Sequence, residues 1–176
     1  VDNYKVEAAK KAEEKAAQEE VKKAEKEEAK KEEAKTNESK DHSNADVSEK
    51  ISAENGGTIN VDNSTVRVTS DDAIAVDNKS QVNINSSSVT SIGGKAITAS
   101  GKSTVKMESG SATGTNGNAV YATDQSNVSI NNAKISANGK SPVTAINLTN
   151  GAIASFKTNT ISAGEKAPAL TLGNGV

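Results

Sequence analysis

The chain predicts an all-β fold: a right-handed parallel β-helix, a solenoid of 23-residue coils with three short strands per coil, preceded by a charged N-terminal α-helix. Three observations predict it. Five sequence columns recur at a 23-residue interval over four units, apolar and polar residues alternate with a period of two inside each unit, and the apolar content is small and aliphatic. Hydrophobic residues make up 33% of the 176 positions, yet the aromatics are only Tyr4, Tyr121 and Phe156. A thick globular core would have to be assembled from Val, Ile and Ala, which bury little area each, so a thin repetitive core fits better.

The first element is the arm. Residues 1–50 carry 12 Lys against 15 acids, whereas 51–176 carry 9 Lys and Arg against 8 acids, so the two parts follow different rules. From Val6 to Lys35 the chain is nearly pure Ala, Glu, Lys, Gln and Val, free of Gly and Pro. These are strong helix formers apart from Val, and Glu7–Lys11, Glu19–Lys23 and Glu27–Lys31 are helix-supporting pairs four residues apart. The stripe Val6, Ala9, Ala12, Ala16, Val21, Ala24 is too small for a firm coiled coil, which leaves a solvated spacer, or a partner-binding helix, over 1–36. Residues 37–56, rich in Asn, Ser, Asp, Glu and Lys, read as a polar linker and N-terminal cap, with 44–57 the candidate cover of the solenoid end.

The solenoid is expected over 57–176. Its inward columns are Ile59, Val82, Val105, Val128; Val61, Ile84, Met107, Ile130; Val66, Val89, Ala112, Ile135; Ile74, Ile97, Val120, Val143; and Val76, Ala99, Ala122, Ala145. Polar columns keep the same interval, with Ser80, Ser103, Ser126, Thr149 in one and Asp62, Asn85, Glu108, Asn131 in another. A three-residue insertion precedes a fifth unit marked by Phe156 and Ile161, and Pro142 recurs as Pro168. Gly173 to Val176 reads as the start of a sixth unit, as in a piece of a longer solenoid whose C-terminal end is bare and frays or associates. Hairpins cannot keep every column in register. Stacked coils can, with each residue above its equivalent at the ~4.8 Å spacing of paired strands.

Composition also excludes functions. The chain has no Cys, so disulfides, Fe–S clusters and thiol nucleophiles are ruled out, and the single His42, in a polar stretch and read as a solvated linker residue, rules out multi-histidine sites. Apolar runs such as 73–76 are far short of the roughly 20 residues of a membrane helix, and Val1 opens no signal sequence. Asp71, Asp72 and Asp77 are the nearest approach to a carboxylate site, but adjacent residues of an extended chain face opposite ways and no acidic column repeats. Gly56-Gly57 and Gly93-Gly94 lack the rest of a calcium repeat, and balanced charge with few aromatics argues against nucleic acid. No catalytic, metal or cofactor set is therefore expected, and no glycosylation is read from the Asn-x-Ser/Thr triplets at Asn63, Asn78, Asn85, Asn127 and Asn147.

A binding surface remains. Tyr121 falls in an outward column with Ala75, Thr98 and Thr144, placing a ring on a flat polar face. Lys79 and Lys102 stack one coil apart, Lys106 follows on the next strand, Lys95 sits in a turn, and Arg67 is the sole arginine. Tyr121, Arg67, Lys79, Lys102 and Lys106 are the candidate receptor-binding residues, with a weakly basic patch suited to sulfated glycans or an acidic receptor.

The Cys-free coils, with units such as Ser80-Gln81-Val82-Asn83-Ile84-Asn85 and Ser126-Asn127-Val128-Ser129-Ile130-Asn131, resemble the pertactin-like passenger domains of bacterial autotransporters over residues 56–176. With its Lys/Glu/Ala arm, the layout also resembles, more loosely, the angiogenic autotransporter passengers of Bartonella. The resemblance implies a secreted or cell-surface virulence factor, exported through a C-terminal outer-membrane β-barrel of its precursor. It implies as partner a host cell-surface protein or glycan, in the angiogenic case a vascular endothelial growth factor (VEGF) receptor. An adhesin stalk presenting another region is the alternative, and a polysaccharide-acting enzyme a further one.

Overall fold

The computed structural model describes residues 40–139 and 142–176, together with Gln18; the helix expected over 1–36 otherwise lies outside the described residues. The described chain winds as a solenoid in which every strand pairing is parallel. Strands β1 (His42–Ser43), β2 (Asp46–Val47) and β3 (Ile51–Ala53) form the first coil, and β4 (Thr58–Asp62), β5 (Thr65–Val68) and β6 (Ile74–Val76) the second. The next three coils each pair a long strand with a short one: β7 (Gln81–Ser91) with β8 (Ile97–Ala99), β9 (Thr104–Gly114) with β10 (Val120–Ala122), and β11 (Asn127–Ala137) with β12 (Ile146–Leu148). The last has β13 (Ile153–Lys157), β14 (Thr160–Ser162) and β15 (Leu170–Leu172).

Where three short strands are expected per coil, the first two run together as one 11-residue strand in β7, β9 and β11. A single residue outside the ladder turns each of them through a corner: Ser86, Ser109 and Asn132, at φ of 46°, 61° and 51°. One left-handed residue bends the strand without ending it, so one nine-stranded sheet supplies two faces of the rod. The six-stranded sheet β3-β6-β8-β10-β12-β15 is the third face.

The inward columns hold. Val61, Ile84, Met107, Ile130 and Phe156 are consecutive ladder partners, as are Val66, Val89, Ala112, Ile135 and Ile161. All members of these two columns through the fifth coil are fully buried, whereas Phe156 and Ile161 in the last coil are only partly so. Two columns need correction at their last member. Ile146, not Val143, stacks on Val120, and Leu148, not Ala145, stacks on Ala122. The insertion therefore falls in the corner between Ala137 and Ile146, ahead of the third face. Ala145 instead belongs with Ala73, Ala96 and Ala119, each directly before a third-face strand and each fully buried. Pro142 and Pro168 are not equivalent either, because β15 follows β12 by 24 residues.

Residues 40–56 are not a linker. His42 pairs with Val61 and Asp46 with Thr65, each 19 residues apart, while Ile51 pairs with Ile74 at the full 23. This is a shortened coil, so among the described residues the β-helix is already formed at His42 rather than from 57. His42 is accordingly a half-buried strand residue at the head of the Val61 column, where burial and, less, Lys40 lower its pKa from the ordinary histidine value. At the other end Leu170 and Leu172 occupy inward positions yet are 41% and 58% exposed, because no coil lies over them.

Candidate functional site

The corner between the third face and the next coil is a four-residue turn repeated along the rod. Its carbonyl-to-amide closures are Glu54–Gly57, Asp77–Ser80, Ser100–Ser103, Thr123–Ser126 and Thr149–Ala152, each 3.1 Å. In the first five turns both central residues have positive φ: Asn55-Gly56, Asn78-Lys79, Gly101-Lys102, Asp124-Gln125 and Asn150-Gly151. This is the type I′ geometry, and its neighbouring copies are bonded, Gly56 N–H to Asn78 C=O and Lys79 N–H to Gly101 C=O at 2.9 Å each. Ser80, Ser103 and Ser126 are buried beneath these turns, and Ala152, rather than Thr149, is the next member of that column.

The five candidate binding residues divide among the faces. Lys79 and Lys102 stand exposed on adjacent turns, and Lys106 is exposed on β9 between Asn83 and Ser129. These three share one edge of the rod. Arg67 points outward from β5 beside Thr90, on the face that does not border this turn. Tyr121 lies on the third face between Thr98 and Asn147, the latter replacing the expected Thr144. Its ring is half-buried rather than open to solvent, and the Lys95 ammonium stands 5.1 Å from its centroid, a cation–π pair that no column of the repeat couples.

The carboxylates near Asp71 serve the corners. Asp72 accepts from Lys95 N–H at 2.8 Å through one oxygen and from the Thr98 hydroxyl at 2.6 Å through the other. Asp71 is exposed, accepts from the Asp72 N–H at 2.7 Å and pairs with Lys50 at 3.4 Å; the N–H first and Lys50 second hold its pKa below the usual carboxylate value. Asp77 accepts from Asn78 N–H and the Ser100 hydroxyl. Elsewhere side chains link coil to coil: Asn85 Nδ2 donates to Asp62 and Asn131 Nδ2 to Glu108, both at 2.6 Å. Every buried side-chain polar atom among the described residues has a partner. An open depression of about 610 Å³ is lined by Thr115, Asn116, Asn138, Gly139 and Gly164, none of which titrates. Among the described residues no three His, Cys, Asp or Glu side chains are grouped to hold a metal ion, and no helix is long and apolar enough to cross a membrane.

The family model of the right-handed beta helix region matches residues 49–176. The chain belongs to the right-handed β-helix family. The match begins inside the first coil, in agreement with the strand pairing of β3. Comparisons of this β-helix with curated proteins and with solved structures give no match. β-helix domains of this kind occur in polysaccharide-acting enzymes and in non-enzymes, so the activity must be argued from the surface.

Proposed function

We propose that this β-helix is the non-catalytic passenger of a secreted or surface-displayed bacterial autotransporter, a virulence factor that binds host cells through the long sides of the rod. In its most specific form it is a growth-factor mimic acting on a VEGF-type receptor of endothelial cells and promoting angiogenesis. The observation that supports a binding role is the employment of the carboxylates: Asp71, Asp72 and Asp77 hold backbone and hydroxyl donors of the corners instead of converging on a cleft. The passenger and angiogenic readings draw on the sequence resemblance.

Labelled chain applied to cultured endothelial cells tests the proposal. Saturable binding at micromolar concentration or below, with receptor phosphorylation, is the expected result. Absence of binding to any host cell contradicts it, and shortening of host polysaccharides on prolonged incubation would make the chain an enzyme instead. The stalk reading is favoured by the all-parallel ladder that runs from coil to coil, and it predicts that this chain binds no cell by itself.

A further inference from the structure

The second central position of the stacked turns is filled in order by Gly56, Lys79, Lys102, Gln125, Gly151 and Gly175, all at φ between 59° and 81°. Glycine meets that backbone without strain, and three of the six turns use it. A side chain there puts its Cβ against the following carbonyl, so Lys79, Lys102 and Gln125 occupy a conformation that disfavours them. The two lysines are moreover ladder neighbours, with backbones ~4.8 Å apart, which sets like charges side by side. Strain and repulsion coincide at one place on the rod.

Among the described residues no carboxylate stands within ion-pair distance of either ammonium. The ion pair among the described residues is Lys50–Asp71, on another corner. The acids nearest in sequence are turned along the ladder: Asp77 to Asn78 N–H and Ser100, Asp124 to the Asn150 amide, Glu108 to the Asn131 amide. Lys106 adds a third exposed ammonium four residues beyond Lys102, about 13 Å along extended chain. Between them Thr104 and, one coil earlier, Gln81 and Asn83 offer neutral donors and acceptors.

We infer that Lys79, Lys102 and Lys106 form an anion-binding ridge for a sulfated polysaccharide lying along the rod. This rests on the host-binding reading and names the ligand class of that surface. A sulfated chain supplies closely spaced charges to the stacked lysines and hydroxyls to the amide-rich strand beside them. The turns carry no aromatic or large apolar side chain, so they lack the anchors with which bases or a lipid surface are held.

The test measures binding of the full chain to heparin, with desulfated heparin, poly-glutamate and phosphatidylserine vesicles as comparators. The double variant K79N/K102N removes both charges while placing at each site a residue that tolerates positive φ, so its thermal midpoint should be unchanged or higher. Its heparin affinity should fall about tenfold, and further when Lys106→Gln is added, whereas Lys134→Asn on another face should bind like the parent. Equal heparin binding by parent and double variant, equal binding to desulfated heparin, or preference for poly-glutamate or vesicles would overturn the inference. Cells separate the two readings. If they bind parent and double variant alike, the glycan ridge is wrong and the host-binding role stands; heparin binding lost in K79N/K102N with no binding to any cell keeps the ridge and removes the role.

Discussion

Gly110 shows how little freedom a single position has in a stacked rod. Its φ is +93°, and a Cβ built on it would meet the Ser87 carbonyl oxygen of the preceding coil at 2.1 Å. Gly110→Ala should therefore destabilise the β-helix by about 2–4 kcal/mol, read as a lower urea midpoint; an unchanged midpoint would mean the coils are not this close. His42 gives a pH test at the same scale. Its pKa is lowered in the folded chain, so the neutral form is favoured there and the unfolded chain binds the proton more readily. The contribution of His42 to the first coil is fully present above the unfolded value of about 6.5 and is lost as pH falls through the lower folded value. Hydrogen exchange at Val61 and Asp62, corrected for intrinsic rate, should quicken on going from pH 7.5 to 5, and His42→Leu should abolish the change. Apolar and polar columns were readable at this scale because burial selects residue type. The left-handed corner positions were less so, since Asn44, Asn63, Ser86, Ser109, Asn132 and Thr158 share a backbone conformation but no single side-chain chemistry.

At the scale of the element, the bent strand depends on what fills the inside of its corner. Ser87 Oγ accepts from the buried Ser64 N–H at 3.0 Å and donates to the Asn85 carbonyl at 2.8 Å. Two coils on from Gly110, Asn159 does the same work, accepting from Ala133 N–H at 2.9 Å and donating to the Ile130 carbonyl at 2.7 Å. Ser87→Ala leaves Ser64 N–H buried without that acceptor and should cost about 1–3 kcal/mol in chemical unfolding, far more than the same change at the outward Ser88. The last coil is an element with half its packing, since Phe156 and Ile161 are only partly buried and Leu172 is 58% exposed. Amides of β14 and β15 should exchange faster than those of β9, which is covered on both sides; slowest exchange in the last coil would contradict the stacking. Strand merging was hidden in the sequence because one left-handed residue interrupts alternation just as a turn does. The insertion was misplaced for a related reason: a strict 23-residue count lands on Val143, Ala145 and Thr149, which are of the right type, while the ladder uses Ile146, Leu148 and Ala152.

For the whole molecule, one register supports everything else. The rod, the flat hydroxyl- and amide-bearing sides and the lysine ridge exist only if residue follows residue up the axis. The 23-residue interval alone makes this architecture legible, and it sets Lys79 beside Lys102. It does not reveal that Tyr121 is covered by Lys95, that Arg67 faces away from the lysines, or that the β-helix is already formed at His42, because those depend on corner geometry and on a coil shortened to 19 residues. The absence of native cysteine makes the register directly measurable with spin labels at introduced cysteines. Asn60 and Ser155 are outward members of one column, four coils apart through Asn83, Lys106 and Ser129. Pulsed electron resonance should give a single narrow separation near ~19 Å between their backbones, four times the strand spacing, broadened only by the label. A distance beyond about twice that value, or a broad distribution spanning both, would mean that the coils do not stack in this register.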